Sequence, residues 1–292
     1  MQKRKLLVTH HAPDLDAIGS VWLFKKFHTQ KYGDAKIAFV NPGSRIEEYQ
    51  VEELGVDLRD VTHVDTGLGE FDHHQKERAS TDICATSLVH AHLLEVHPDL
   101  EDDQALDIIV KFITEIDHFG EIYWNDAGSY KYSFMIHELI RGHEFINQHD
   151  DESQMHFGMQ CLDFAYATLT QQVKANEIIN QKGIRFELPA GKCLGLETRN
   201  DDTIKAAQKQ GYMLVVKKDP KLGNIRIKAR PDAAIDLTVL SEKIISLDSV
   251  GDWFIHASGK MLLNGSVKNR GQKASPLTLE KIIELIKETF TD

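Results

Sequence analysis

At 292 residues, 41% hydrophobic and 27% charged, the chain is long enough for one large or two modest domains with buried cores. A formal net charge of -11 argues against a nonspecific grip on long nucleic acid. Cys84, Cys161 and Cys193 are too scattered for a disulfide framework or a CxxC zinc site; a reducing, cytoplasmic setting is expected. The apolar run in MQKRKLLVTHHAPD ends after Leu6, Leu7 and Val8, too short for a signal-peptide core, and no stretch of about eighteen apolar residues suggests a membrane span or membrane partner.

In chain order, Lys5 to Thr9 reads as a strand, Asp16 to Gln30 as a helix, Lys36 to Val40 as a strand, Arg45 to Leu54 as a helix and Val61 to Asp65 as a strand. That βαβαβ pattern predicts a parallel sheet covered on both faces, an α/β fold. Helical spacing continues in Ala85 to Val96, Asp102 to Thr114 and Tyr132 to Ile140, and Glu152 to Gln181 reads as one long helix closed by Gly183. Beyond it, Lys192 to Glu197, Tyr212 to Lys217, Asn224 to Ala229 and Trp253 to His256 read as strands, with helices at Asp201 to Gln208 and Leu237 to Ile245. A final helix has Ser275 as its expected cap, Pro276 in its first turn and a stripe of Leu279, Ile282, Ile283, Ile286 and Phe290. The expected division is a catalytic domain over residues 1–150, a linking helix over 151–185 and a smaller α/β substrate-binding domain over 186–292. Charge follows it: residues 191–292 carry 17 Lys+Arg against 13 Asp+Glu, leaving 17 against 32 in residues 1–190. The acidic part suits cations and the basic part an anionic substrate, although ordinary solvated surfaces would look the same.

The motif THHAPDLDAIGS places His10, Asp14 and Asp16 at the carboxyl end of the first strand, where open α/β sheets bind ligands. One imidazole and two carboxylates suit manganese and similar divalent ions; taken alone, Asp14 also reads as a helix cap. Asp65 ends the third strand and FDHHQ, Phe71 to Gln75, follows within one turn or hairpin. So many carboxylates and histidines converging on neighbouring strand ends would repel without cations between them. Asp117 closes an apolar helix and can be read as a further ligand or as a charged helix terminus. In the C-terminal part, the turn His256-Ala257-Ser258-Gly259-Lys260 offers N–H groups, a hydroxyl and a cation to a phosphate, or is a plain β-turn.

Together, HxxPDxD at His10, Asp14 and Asp16, Asp65 after a strand, Asp72-His73-His74 and Asp117 resemble the four motifs of the DHH phosphoesterase superfamily. That superfamily includes RecJ-type exonucleases, nanoRNases, cyclic dinucleotide phosphodiesterases and family II inorganic pyrophosphatases. The resemblance implies two manganese or magnesium ions, one held by His10 and Asp14, the other by Asp16, His73 and Asp117, with Asp65 bridging. His74 would touch the substrate phosphate and Asp72 would orient a histidine. Asp65 and Asp72 stand only seven residues apart, and the compact VDTGLGEFDHHQ is similar to the Myg exonuclease family, as is WFIHASGKMLLNGS, Trp253 to Ser266, although a double glycine is replaced by Leu263-Asn264-Gly265. Arg230, Asp236 and His256 match the order of a DHHA1 substrate-binding domain, but no glycine run precedes His256.

The resemblance implies a phosphodiesterase or exonuclease on short oligonucleotides or related nucleotides, with Arg230, His256, Ser258 and Lys260 as substrate contacts in a cleft between domains. Tyr212, Trp253 and Phe254 are the few aromatics there for stacking. One rival is an inorganic pyrophosphatase or another phosphoanhydride hydrolase, although an SRKKQ-like basic motif is missing. Another is a non-catalytic nucleotide-binding regulatory module. A homodimer is one of the assemblies the chain allows.

Overall fold

A computed structural model describes residues 4–78, 80–265 and 271–291. The described chain divides into two compact units, Met1–Leu169 and Thr170–Asp292.

The first unit opens with β1 (Leu6–His10), α1 (Leu15–Phe27), α2 (Thr29–Tyr32), β2 (Lys36–Val40), α3 (Glu48–Glu53) and β3 (Val61–His63). Both β2 and β3 pair with β1 in parallel, in the order β2-β1-β3, with Val8 opposite Ala38 on one side and His63 on the other. This is the expected α/β pattern. The central strand shows why its apolar run is unbroken: Leu7 enters a core with α1 and the later helices, while Leu6 and Val8 point the other way onto Val51 and Ile46. Covered on both faces, the strand offers solvent only its ends.

Three further helices, α4 (Ala85–Val96), α5 (Gln104–Asp117) and α6 (Ile136–Ile146), follow, and then α7 (Asp151–Lys182). The first half of α7 contributes Met155 and Leu162 to the core of the first unit and its end contributes Ile179 to the second. The boundary between the units falls at 169/170, inside the expected linking helix.

Close packing positions the helix that matters for the site. A Cβ on Gly19 of α1 would lie 2.6 Å from Thr86 Oγ1 and 2.7 Å from Ile113 Cδ1, so α1, α4 and α5 can meet only where that side chain is missing. Gly19→Ala should cost about 1–3 kcal/mol through overpacking, read as a lower urea midpoint at unchanged slope. An unchanged midpoint would mean that the three helices adjust freely.

The second unit contains β4 (Ile184–Leu188), β5 (Gly191–Glu197), α8 (Asp202–Lys209), β6 (Leu214–Lys218), β7 (Ile225–Ala229), α9 (Thr238–Leu247), β8 (Phe254–Ile255), β9 (Met261–Asn264) and α10 (Leu279–Thr289). Its sheet runs β4-β5-β6-β7-β9-β8, with only β5 and β6 parallel. Alternation sorts the side chains: Cys193, Leu214, Val216 and Ile227 pack under α9 and α10, while Leu194, Leu196 and Val215 pack with Ile179 and α8.

The start of α10 corrects a sequence expectation. Thr278, not Ser275, caps it, its hydroxyl accepting from Lys281 N–H at 3.2 Å. Ser275 instead donates its N–H to the buried Asn264 side chain at 2.7 Å, and Pro276 precedes the helix. Strands β4 and β9 were not expected. Ser266, in the motif similar to the Myg family, lies outside the described residues.

Candidate metal centre

The site forms where β1 and β3 end side by side. His10 is the last residue of β1, and its Nδ1–H donates to the His11 carbonyl at 2.8 Å. A carbonyl can only accept, so a neutral His10 ring presents its lone pair at Nε2. That nitrogen faces Asp65 Oδ2 at 3.2 Å and Asp14 Oδ1 at 3.9 Å. Asp14 also caps α1, accepting from the N–H groups of Asp16 and Ala17 at 3.0 Å each. Cap and ligand are compatible roles, because a carboxylate has lone pairs for both.

Asp16, in the first turn of α1, is buried and accepts from the N–H groups of Ala85 and Thr86 at 2.7 Å each. Those are the first groups of α4, so the charge is fixed at a helix N-terminus. The loop between β1 and α1 is held from α7: Asp151 accepts from His11 Nδ1–H at 2.6 Å and from Ala12 N–H at 2.7 Å, and Gln154 donates to the Pro13 carbonyl at 3.0 Å. Sequence reading missed both residues, which carry no local signal and lie about 140 positions from the loop they hold.

Asp65 follows β3 with φ +53°, a left-handed conformation that a non-glycine residue keeps only when its surroundings impose it. They do. Its N–H donates to the Phe71 carbonyl at 2.9 Å, Arg45 Nε donates to the Gly67 carbonyl at 2.8 Å, and Arg78 Nη1 donates to the carbonyls of Glu70 and Asp72 at 2.6 and 2.7 Å. Fully buried Asp72 closes the turn by accepting from Leu68 N–H at 2.7 Å. It also accepts from His74 Nδ1–H at 2.7 Å, which leaves the other nitrogen of the exposed His74 ring for a ligand.

The two oxygens of Asp65 face different partners. Oδ2 meets His10; Oδ1 lies 3.6 Å from His73 Nε2. His73 Nε2 is also 3.7 Å from Asp16 Oδ2 and 3.6 Å from Asp117 Oδ2. These separations are too long for hydrogen bonds, yet donors each about 2.1 Å from one shared ion stand about 3 to 4 Å apart. Asp65 Oδ1, His73 Nε2 and Asp117 Oδ2 are buried side-chain atoms with no hydrogen-bond partner. Imidazole and carboxylate donors of this kind fit a divalent cation such as manganese or magnesium.

The electrostatics point the same way. Burial, then the charges of Asp65 and Asp117, push the Asp16 carboxyl up to about 8. Desolvation and the charge of Asp65 likewise raise Asp14, although its side chain is 60% exposed and solvent screens the effect, and burial outweighs the pull of His73 to bring Asp117 to about 6. Burial pulls His10 down, but its hydrogen bond to Asp65 and the charges of Asp14 and Asp65 win and hold it at about 9. Asp65 foremost, against burial and with Asp117 and Asp16, holds His73 at about 9. Protons gather where positive charge is wanted.

His118 Nε2 is 3.5 Å from Asp117, but its proton goes to the Ile83 carbonyl at 2.9 Å. That nitrogen has no lone pair to give a metal.

In the second unit the four expected substrate contacts behave differently. Arg230 pairs with Asp232, and Lys260 Nζ donates to the carbonyls of Ala233 and Ile235 at 2.7 and 2.8 Å. Lys260 thus braces a loop. Ser258 N–H donates to His256 Nδ1 at 3.1 Å, with its hydroxyl 2.9 Å from the same atom, so the outer ring nitrogen of His256 carries the free polar edge. Sequence reading missed a separate ion cluster, in which Asp201 meets the buried Lys217 and, at 3.1 Å, Arg226 beside a hollow of about 130 Å³.

No protein-family model and no curated protein matches the chain. Among solved structures, the Mn2+ complex of RecJ from Thermus thermophilus is similar over 98% of this chain and 52% of its own, at 11% identity and a TM-score of 0.33. The chain thus spans about half the length of that protein. Exonuclease RecJ bound to manganese is similar over 98% of this chain and 90% of its own, at 11% identity and a TM-score of 0.32. CDC45 from Entamoeba histolytica is similar over 99% and 96%, at 11% identity and a TM-score of 0.33. No helix among the described residues is long and apolar enough to cross a membrane.

Proposed function

We propose that the chain is a two-metal phosphodiesterase acting as an exonuclease on short oligonucleotides or related nucleotides. The observation that carries this reading is the splayed Asp65 carboxylate, with one oxygen toward His10 and the other toward His73. His10, Asp14 and Asp65 would hold one ion; Asp16, His73, Asp117 and the second oxygen of Asp65 would hold the other. Manganese is the first choice and magnesium the second. When bound, such a pair supplies positive charge for the transition state and acidifies water for attack on phosphorus.

The rest is the work of side chains. Asp72 fixes the His74 ring by accepting its Nδ1 proton, so that an imidazolium form can donate its Nε2–H to a phosphate oxygen and offset charge developing there. Asp151 and Gln154 hold the loop carrying His10 and Asp14, and the N-terminus of α4 holds Asp16. In the second unit, the outer nitrogen of His256 is the proposed contact for a substrate phosphate, with Ser258 setting its tautomer.

The test is manganese-dependent release of mononucleotides from labelled RNA and DNA oligomers of graded length, with pyrophosphate and cyclic dinucleotides alongside and Asp65→Ala as control. Release from short oligomers that the substitution abolishes supports the reading. Turnover of pyrophosphate alone would replace it with a phosphoanhydride hydrolase, and metal binding without turnover of any substrate would replace it with a binding module.

A further inference from the structure

A hollow of about 480 Å³ adjoins the metal centre within the first unit, and Asp14, Asp16 and Asp117 form one of its sides. Leu15, Ile116 and Ile140 give it an apolar floor. Among its other polar groups, Glu121, Glu138 and Glu144 are acidic and Arg141 is basic, sitting 3.8 Å from Glu138, with His137 and Gln154 beside them. A second phosphate would be repelled there. A flat, neutral ring with N–H donors would not.

Phe119 stands at the edge of this hollow, two residues beyond Asp117. It is 70% exposed and has φ +55°, a conformation that costs an aromatic residue about 1–3 kcal/mol. The turn that imposes it is tight: Phe119 N–H donates to the Ile116 carbonyl at 3.0 Å, and a Cβ on Gly120 would lie 2.4 Å from Glu115 Cγ and 2.9 Å from its carbonyl oxygen. The chain therefore keeps an apolar ring in water, on strained backbone, beside its charged centre. Core packing gives no reason for that arrangement.

Two residues that line the hollow also carry a polar atom without a partner. Glu121 Oε2 and His137 Nδ1 are buried, and neither makes a hydrogen bond. Leaving such groups unpaired costs about 1–3 kcal/mol each; a side-chain rotation that brings either to a ligand would recover it.

We propose that this hollow receives the nucleobase of the residue being cleaved, stacked on Phe119 and giving its N–H groups to Glu121 and its neighbours. The inference rests on the phosphodiesterase reading above and deepens it. The acidic lining favours bases with an exocyclic amino group (adenine, guanine and cytosine), whose N–H donors pair with carboxylates, whereas uracil and thymine offer one ring N–H flanked by two carbonyl oxygens. On this reading a nucleoside-bearing phosphodiester would suit the centre better than pyrophosphate, because the anhydride would leave the hollow empty.

The experiment compares steady-state hydrolysis of a 5′-phosphorylated adenine dinucleotide with that of the same dinucleotide abasic at the residue released. Wild type, Phe119→Ala and Phe119→Trp are each assayed in manganese. The expected result is that Phe119→Ala raises KM for the base-bearing substrate roughly tenfold to a hundredfold, leaves kcat and all abasic kinetics unchanged, and is rescued by Phe119→Trp. Equal kinetics of wild type and Phe119→Ala on both substrates would overturn the base pocket while leaving the phosphodiesterase standing. No hydrolysis of either substrate by the wild type would remove the phosphodiesterase reading, and the pocket with it. Phe119 is exposed and outside the core, so the variants should fold; matching far-ultraviolet circular dichroism and urea midpoints check this.

Discussion

Replacing Asp65 by asparagine should lower phosphodiester hydrolysis by about 10³-fold or more, because one change removes a ligand from both proposed ions and the charge that holds them together. Asparagine keeps the shape and can still meet His10, so the loss would not come from a collapsed turn. The effect should also exceed that of His74→Ala: His74 is 58% exposed and meets Asp65 only at 3.9 Å, consistent with contact to substrate rather than with holding the centre together. Metal-linked stability separates the two. At a hundred times its dissociation constant, an ion that binds only the folded state adds about 2.7 kcal/mol; wild type and His74→Ala should show that gain in manganese, and Asp65→Asn should lose most of it. Near-normal turnover by Asp65→Asn would mean that this carboxylate bridges nothing.

Manganese affinity should rise steeply between about pH 6 and pH 9, while the metal-free protein loses stability over the same range. His10 and His73 are held at about 9 and the Asp16 carboxyl at about 8. An ion must displace those protons, so its apparent affinity should grow about tenfold per pH unit for each proton displaced, levelling off above pH 9. Without metal the sign reverses. Asp14, Asp16 and Asp117 keep protons in the folded chain above the ordinary carboxyl value of 3.8, and His10 and His73 do so above 6.5. The folded state therefore binds more protons than the unfolded one from about pH 4 to pH 9, and stability falls as pH rises through that window. Asp65 acts in the opposite sense: His10 and His73 outweigh burial and lower it, so its contribution is lost only under more acidic conditions. Urea midpoints at pH 5, 7 and 9, with and without manganese, give both trends. A metal-free protein more stable at pH 9 than at pH 5 would show that the centre does not hold these protons.

Much of the first unit was legible in the sequence because its signals are local. Strand β2 falls on the residues its apolar run marks, and α4 on the span its spacing marks. The residues proposed to hold metal stand out by chemical type, and most by position after strands, whereas Asp117 closes a helix. Less visible were features set by distant contacts. Nothing near Asp151 says that it fixes His11 and Ala12, and nothing in TDICAT says that α4 begins on the carboxylate of Asp16. Ser275 and Pro276 looked like a helix start, but the buried Asn264 side chain claims the Ser275 N–H and the helix begins later, at Leu279. Lys260 looked like a phosphate ligand because its neighbours are small and polar; two carbonyls contributed by residues 25 and 27 positions earlier occupy its ammonium instead. Phe119 drew no notice beside Asp117, since only the fold shows that its ring is left exposed.

Counting manganese ions per chain at pH 8, by titration followed through the electron paramagnetic resonance signal, tests the central claim most directly. The account predicts two ions with spin coupling between them, and a single uncoupled ion after His10→Ala, which takes a ligand from the first ion alone. One ion or none in the wild type would contradict a two-metal centre built around Asp65.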